Sequence, residues 1–186
     1  NSEATDYFGF GLAIDGDTLA VGAGDEASNQ TTITNDNSTA SSNNSSSDSG
    51  AVYVYKRTGT TWAQEAYIKA SNNDADDRFG GNLALDGDTL AVGASWESSN
   101  QTTITNGTTS STNNSTSGSG AVYVYKRTGT TWAQEAYIKA SNNNAGDYFG
   151  YKVALDGDTL ALGAYLEDSN QTTITNGTTS STNNST

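Results

Sequence analysis

Residues Gly81–Ala94 read GNLALDGDTLAVGA, two short apolar runs on either side of Asp86-Gly87. An Asp-Gly pair between alternating apolar residues predicts a two-residue type I′ β-hairpin, because both turn positions of that hairpin need positive φ. Period-2 counting puts Leu83, Leu85, Leu90 and Val92 on one face. Ala84, Ala91 and Gly93 line the other, smooth enough for a second sheet to approach closely. The phrase DGDTLA, which opens at Asp86, also opens at Asp15 and Asp156, 71 residues earlier and 70 later.

Working outward, the rest of the chain repeats as well. Residues 49–73 and 119–143 are the same 25 residues, and 99–116 and 169–186 share SNQTTITNGTTSSTNNST. The 186-residue chain therefore carries about two and two-thirds copies of one unit. The units run over 1–71 with a polar arm at 27–49, over 72–141 with an arm at 98–119, and over 142–186, a partial copy with an arm at 168–186. Both ends fall inside a unit, so the chain reads as a window on a longer array.

The second half of each unit, AVYVYKRTGTTWAQEAYIKA at Ala121–Ala140, predicts another hairpin turning near Thr128-Gly129. Val122 and Val124 alternate with Tyr123 and Tyr125, so both faces suit packing, and a sheet apolar on both sides is sandwiched between neighbours. Four strands per unit, stacked face to face, are expected. Between the hairpins, Ser98–Ser119 has no charge and one larger apolar side chain, Ile104. Such composition suits a solvated linker. Yet Asn106-Gly107 sits between Thr-rich flanks, as does Asn176-Gly177, with a looser Asn35-Asp36-Asn37 in the first copy. That pattern predicts an extra hairpin arm projecting from each unit.

Composition narrows the chemistry. There are 8 basic and 21 acidic residues, a net charge of −13, and no Cys, His, Met or Pro. Disulfides, thiol nucleophiles, a Ser-His-Asp triad and ordinary zinc sites are thereby excluded. The acidic balance argues against nucleic acid and anionic membrane surfaces as partners. No apolar run is long enough for membrane insertion by a helix.

Phe79-Gly80, an apolar strand, Asp86-Gly87-Asp88 and then Leu90-Ala91-Val92-Gly93-Ala94 together resemble the FG-GAP repeat. The same frame stands at Phe8-Gly9 to Gly22-Ala23 and at Phe149-Gly150 to Gly163-Ala164, and Gly120–Tyr125 is similar to the second half of such repeats. The resemblance covers nearly the whole chain except the Ser/Thr/Asn arms. It extends to integrin-α-like propeller repeats and, closer in wording, to long repetitive secreted or surface bacterial proteins. What it implies is an all-β fold of tandem four-stranded antiparallel blades, β-propeller-like, in an extracellular adhesion or structural protein. Ser95, Tyr165 and Gly24 stand where the family usually has Pro.

Integrin-like repeats also carry a longer Asp-rich loop that wraps calcium, cut here to Asp-Gly-Asp. Calcium takes about six to eight oxygens, and one hairpin turn presents two carboxylates. The calcium candidates are Asp86, Asp88, Asp156 and Asp158 in the turns and Asp74, Asp76 and Asp77 in the joint between units. The plainer reading makes Asp86 a turn residue, Asp88 a strand-start cap and the joint a solvated turn; no other cofactor is expected.

Trp62, Trp132, Tyr53, Tyr55 and Tyr67 invite a sugar-stacking role, but on strands they read as packing against the Ala/Gly side of a neighbouring sheet. Trp96 lies just past a strand, where the other copies have Asp25 and Leu166, and is expected at the surface. Lys126-Arg127 reads as an edge-strand gatekeeper. Asn-x-Ser/Thr triplets at Asn29, Asn100, Asn106, Asn113, Asn114, Asn170 and Asn176 are glycosylation candidates. Each acidic residue recurs by repetition, so no single catalytic constellation stands out and an enzyme is not expected.

Two architectures fit: a closed propeller, which takes about four to eight blades, and an open superhelical fibre of stacked units. The expected partners are further copies of the repeat or of the chain. The expected role is structural or adhesive and extracellular, with a ligand-binding propeller for glycans or a receptor as the alternative.

Overall fold

The computed structural model describes residues 5–36 and 43–177. The stretches of the first and third polar arms at 37–42 and 178–186 lie outside it. Among the described residues every regular element is a strand.

The first sheet is an antiparallel meander of β1 (Phe8–Asp15), β2 (Thr18–Ala23), β3 (Ala51–Thr58) and β4 (Thr61–Ile68). The second contains β5 (Asn82–Asp86), β6 (Thr89–Ala94), β7 (Thr105–Asn106), β8 (Ala121–Thr128) and β9 (Thr131–Ile138), in the order β5-β6-β8-β9-β7. β10 (Phe149–Asp156) and β11 (Thr159–Ala164) form a third, two-stranded sheet. The four-stranded blade expected from the sequence is therefore present, and no sheet closes on itself.

The hairpins differ from expectation in one detail. Asp86 pairs with Thr89, so the turn residues are Gly87 and Asp88 rather than Asp86-Gly87. Gly87 has φ +55, while Asp86 and Asp88 keep negative φ. A glycine at the first turn position followed by negative φ is the type II′ pattern, not type I′. The second hairpin likewise turns on Gly129-Thr130.

The faces are as period-2 counting predicts. Leu90 and Val92, with Leu83 and Leu85 beside them, pack into one core with Ala20, Val52, Val54, Ala66 and Ile68 of the first blade. The aromatics join them: Tyr123, Tyr125, Trp132 and Tyr137 all face the small and branched residues of the preceding blade. Trp132 and Tyr137 are five residues apart and belong on opposite faces of a regular strand. The pairing shifts between Val124↔Ala136 and Tyr125↔Gln134, leaving Glu135 as an extra residue, and this bulge brings both rings to one side.

The second polar arm does not project as a hairpin, and the turns expected in the first and third arms run into residues outside the described ones. Thr105 and Asn106 pair with Tyr137 and Ala136, so the second arm lies along the outer edge of its own blade. In the first copy the contact shrinks to a bridge between Thr34 and Tyr67. Gln101 holds the loop in shape by donating to the Thr103 carbonyl (2.9 Å) and Thr105 Oγ1 (2.7 Å), and Gln30 makes the equivalent bonds. A segment too polar to build a core is ordered by side-chain hydrogen bonds and by an edge strand with free backbone groups.

Successive blades join through the Phe-Gly pair. The Phe79 N–H donates to the Ser49 carbonyl at 2.9 Å, and the Phe149 N–H donates to the Ser119 carbonyl at 3.0 Å. Backbone then meets backbone: a Cβ built on Gly22 would lie 1.9 Å from the Gly80 oxygen, and one on Gly93 2.2 Å from the Gly150 oxygen. The same repeat position in the third sheet, Gly163, has nothing nearer than 3.6 Å. Gly93→Ala is therefore expected to lower stability by about 3 kcal/mol or more. Gly163→Ala is expected to change it by less than about 0.5 kcal/mol. Thermal melts of the two variants check both values.

Candidate functional site: the joint between blades

Residues that differ most from ordinary sheet chemistry gather where one blade meets the next. Glu97 follows β6 and Lys139 follows β9, and both are buried. Lys139 Nζ lies 2.7 Å from Glu97 Oε2 and donates to Ser119 Oγ at 2.7 Å. Ser99 Oγ donates to Glu97 Oε2 at 3.2 Å and shares a 2.6 Å bond with the Tyr137 hydroxyl. The first blade repeats this knot with Lys69, Glu26, Ser49, Ser28 and Tyr67. Burial pulls both lysines below their usual range, against the opposing pull of their glutamates. Without a full set of hydrogen bonds such a charge pair could not stay desolvated.

The knot ties blades together as well as strands. Asn72, in the link leading to the second blade, donates to Glu97 Oε1 (3.1 Å) and accepts from the Tyr123 hydroxyl (2.5 Å). Asp77, in the same link, is buried, and its Oδ2 accepts from the Asp74 N–H at 3.3 Å. Burial first and the Glu97 charge second push its carboxyl up to about 8. The link is therefore not the solvated turn expected: Asp76 is exposed, Asp74 is half-buried and accepts from Asn114 at 2.9 Å, and Asp77 is inside.

A second lock lies at the outer rim. The bulge at Glu65 aims its carboxylate across the joint, where Oε1 accepts from Trp132 Nε1 (2.9 Å) and pairs with Arg127 Nη1 (3.1 Å). Arg127 also pairs with Asp88 at 2.7 Å and donates to Thr18 Oγ1 of the first blade. Arg127 is thus a half-buried cross-joint anchor on an inner strand, not an edge-strand gatekeeper. From the first arm, Asn35 grips the Trp132 backbone at both ends, accepting from its N–H (2.7 Å) and donating to its carbonyl (3.0 Å).

The turn aspartates are placed separately. Asp86 is a strand-end residue whose carboxylate accepts from the Gly157 N–H of the next hairpin, as Asp15 does from Gly87 at 2.8 Å. Asp88 is a turn residue paired with Arg127, where a strand-start cap was expected. Asp156 and Asp158 are exposed in the third turn. Among the described residues no three acidic side chains converge as a metal would require. Asn29, Asn100, Asn106, Asn113, Asn114, Asn170 and Asn176 are all exposed. Trp96 is half-exposed at the rim of the second joint, as expected.

The Glu–Lys knots, the buried Asp77 and the Glu65 bulge were missed in the sequence. Their only signal there is that Glu26/Glu97, Lys69/Lys139, and Asp6/Asp77/Asp147 recur in register.

Tandem β-blades joined by a Phe-Gly insertion define a β-propeller-type repeat domain. The FG-GAP repeat model matches residues 1–55, 62–125 and 132–179, and the chain belongs to that family. It matches no curated protein.

Two outcomes follow from the joint. Lys139→Met leaves Glu97 buried without its cation and is expected to cost about 3–5 kcal/mol, with Glu97→Gln/Lys139→Met recovering at least half, by chemical denaturation. Asp77 is neutral in the folded protein below about pH 8, whereas an unfolded Asp ionises near 4. The stability it confers is full below about pH 4 and is lost as the pH climbs to 8. Asp77→Asn keeps the acceptor for Asp74 and removes this titration. Its Tm is expected to match wild type near pH 4 and exceed it by about 5 °C or more at pH 9.

Proposed function

We propose that the chain is a non-catalytic structural or adhesive module of the cell exterior, whose working surface is the blade face itself. The observation that carries this is the contrast between repeats at the two ends of the stack. Phe79 and Trp132, seated on the preceding blade, are 0% and 1% exposed, while their counterparts Phe8 and Trp62 are 58% and 41% exposed. Phe10, Leu12 and Ile14 extend the bare face along β1. At the other end Ile104 is exposed, whereas its counterpart Ile33 is partly buried against the core between blades. Burying a large apolar side chain contributes about 1.5–3 kcal/mol, so these two faces favour further blades of the same repeat.

The two joints also use the same backbone bonds, so each blade docks on the one before it in the same way. FG-GAP repeats typically occur in extracellular or surface proteins, which supports the exterior setting. Exposed sequons at Asn29, Asn100 and Asn170 are open to glycosylation there. Asn106 is closed to it in a stacked array, because its counterpart Asn35 holds the next blade's Trp132.

The ligand-binding reading draws on a groove of about 330 Å³ beside Trp96, Arg78, Asp76 and Asn114. There the Trp96 ring is already covered by Arg78 (5.2 Å) and Tyr148 (5.0 Å), which favours the structural reading. Electron microscopy of the native protein across concentrations tests it: filaments or rings of stacked blades are expected, and compact single particles at every concentration would overturn it.

A further inference from the structure

The two joints share their backbone bonds and differ together at three rim positions. In the first joint Asp25 follows β2, Asp48 precedes β3, and Arg78 arrives from the next blade. Arg78 donates its N–H to the Asp48 carbonyl at 3.0 Å, and its guanidinium lies 3.8 Å from Asp25. In the second joint the corresponding residues are Trp96, Gly118 and Tyr148. Tyr148 makes the same backbone bond to Gly118 at 3.0 Å, and its ring meets Trp96 at 5.0 Å. A Cβ on Gly118 would lie 3.1 Å from the Tyr148 ring, so the glycine makes room for the tyrosine.

The sets do not interchange. A tyrosine facing Asp25 and Asp48 would crowd the Asp48 Cβ and remove the guanidinium that faces Asp25. Burial and Asp48 already push the Asp25 carboxyl up, and Arg78 alone among its neighbours pulls it back. An exposed ion pair at 3.8 Å adds little stability, but penalising the wrong partner is how charge confers specificity.

We propose that these three rim positions form a matching code that decides which blade seats on which, one set charged (Asp, Asp, Arg) and one aromatic (Trp, Gly, Tyr). Tyr7 occupies the arriving position on the bare head of the first blade, with φ +48 beside +55 at Arg78 and +52 at Tyr148. The head therefore takes a complete blade of the same repeat with an aromatic or aliphatic residue at the Trp96 position and glycine at the Gly118 position. This partner assignment rests on the stacking reading above; the code itself does not.

The test is a coupling cycle in the whole chain, read as Tm. Arg78→Tyr alone and Asp25→Trp/Asp48→Gly are each expected to lower Tm by about 3 °C or more, with the triple variant within about 2 °C of wild type. Shifts that simply add would overturn the code. If Arg78→Tyr does not fold, the milder Asp25→Leu, Arg78→Leu and their double variant read the same coupling. Sedimentation velocity of the whole chain then tests the head. Tyr7→Arg is expected to lower the assembled fraction while Tyr7→Phe leaves it unchanged. Equal assembly with Tyr7→Arg overturns the head assignment, whereas a chain monomeric throughout overturns the stacking reading and leaves the cycle to judge the code.

Discussion

The structure depends on one steric constraint: where two blades meet, peptide must touch peptide with no Cβ between. The Gly80 and Gly150 carbonyls occupy space that a methyl group on Gly22 or Gly93 would fill. That approach lets the Phe79 and Phe149 amides bond the preceding blade and swings each phenyl ring inward, Phe79 into full burial. Once the backbones are in contact, the aromatic face of one blade lies against the Ala/Val face of the other, and the core between them follows. The motif after which the family is known is thus a docking device: Gly22 and Gly93 give clearance, while Gly80 and Gly150, at φ +92 and +84, also turn the chain.

Around this contact the molecule buries charge. A lysine and a glutamate desolvated together are a poor source of stability compared with apolar groups of the same size. Their worth lies in direction. Lys139 needs Glu97 and Ser119 at fixed distances, and Glu97 needs Asn72 from the incoming link. Apolar faces built of near-identical residues could slide over one another, and the knot admits one register. Glu65 adds the same kind of constraint at the rim, where a single carboxylate serves Arg127 and Trp132 of the next blade.

Much of this was open to reading in the residues. The alternation around Asp86-Gly87, the Val/Tyr alternation at 122–125 and the recurrence every 70 or 71 residues lead directly to four-stranded blades with one small and one large face. What escaped reading has physical causes. A bulge is a fact of pairing, two residues against one, and nothing about Glu65 or Glu135 alone announces it. Glu97 and Lys139 are 42 residues apart, and each looks like a solvated charge until the fold closes. The turn slipped by one residue because Asp-Gly and Gly-Asp overlap in the same three letters, so the pairing of Asp86 with Thr89 had to decide. The second arm misled because its backbone pairs with the edge of its own blade, and not with itself.

Those arms have a consequence for how the protein behaves in a crowd. The outermost strand of a blade offers unpaired backbone groups to any passing strand, the usual route to tangled aggregates. Here β9 is occupied at Ala136 and Tyr137 by its own arm and at Trp132 by Asn35 of the arm before it. Sideways pairing is thereby blocked at those positions of β9. Flanks of this kind present hydrated Ser, Thr and Asn, rather than bare peptide groups, to a neighbouring molecule.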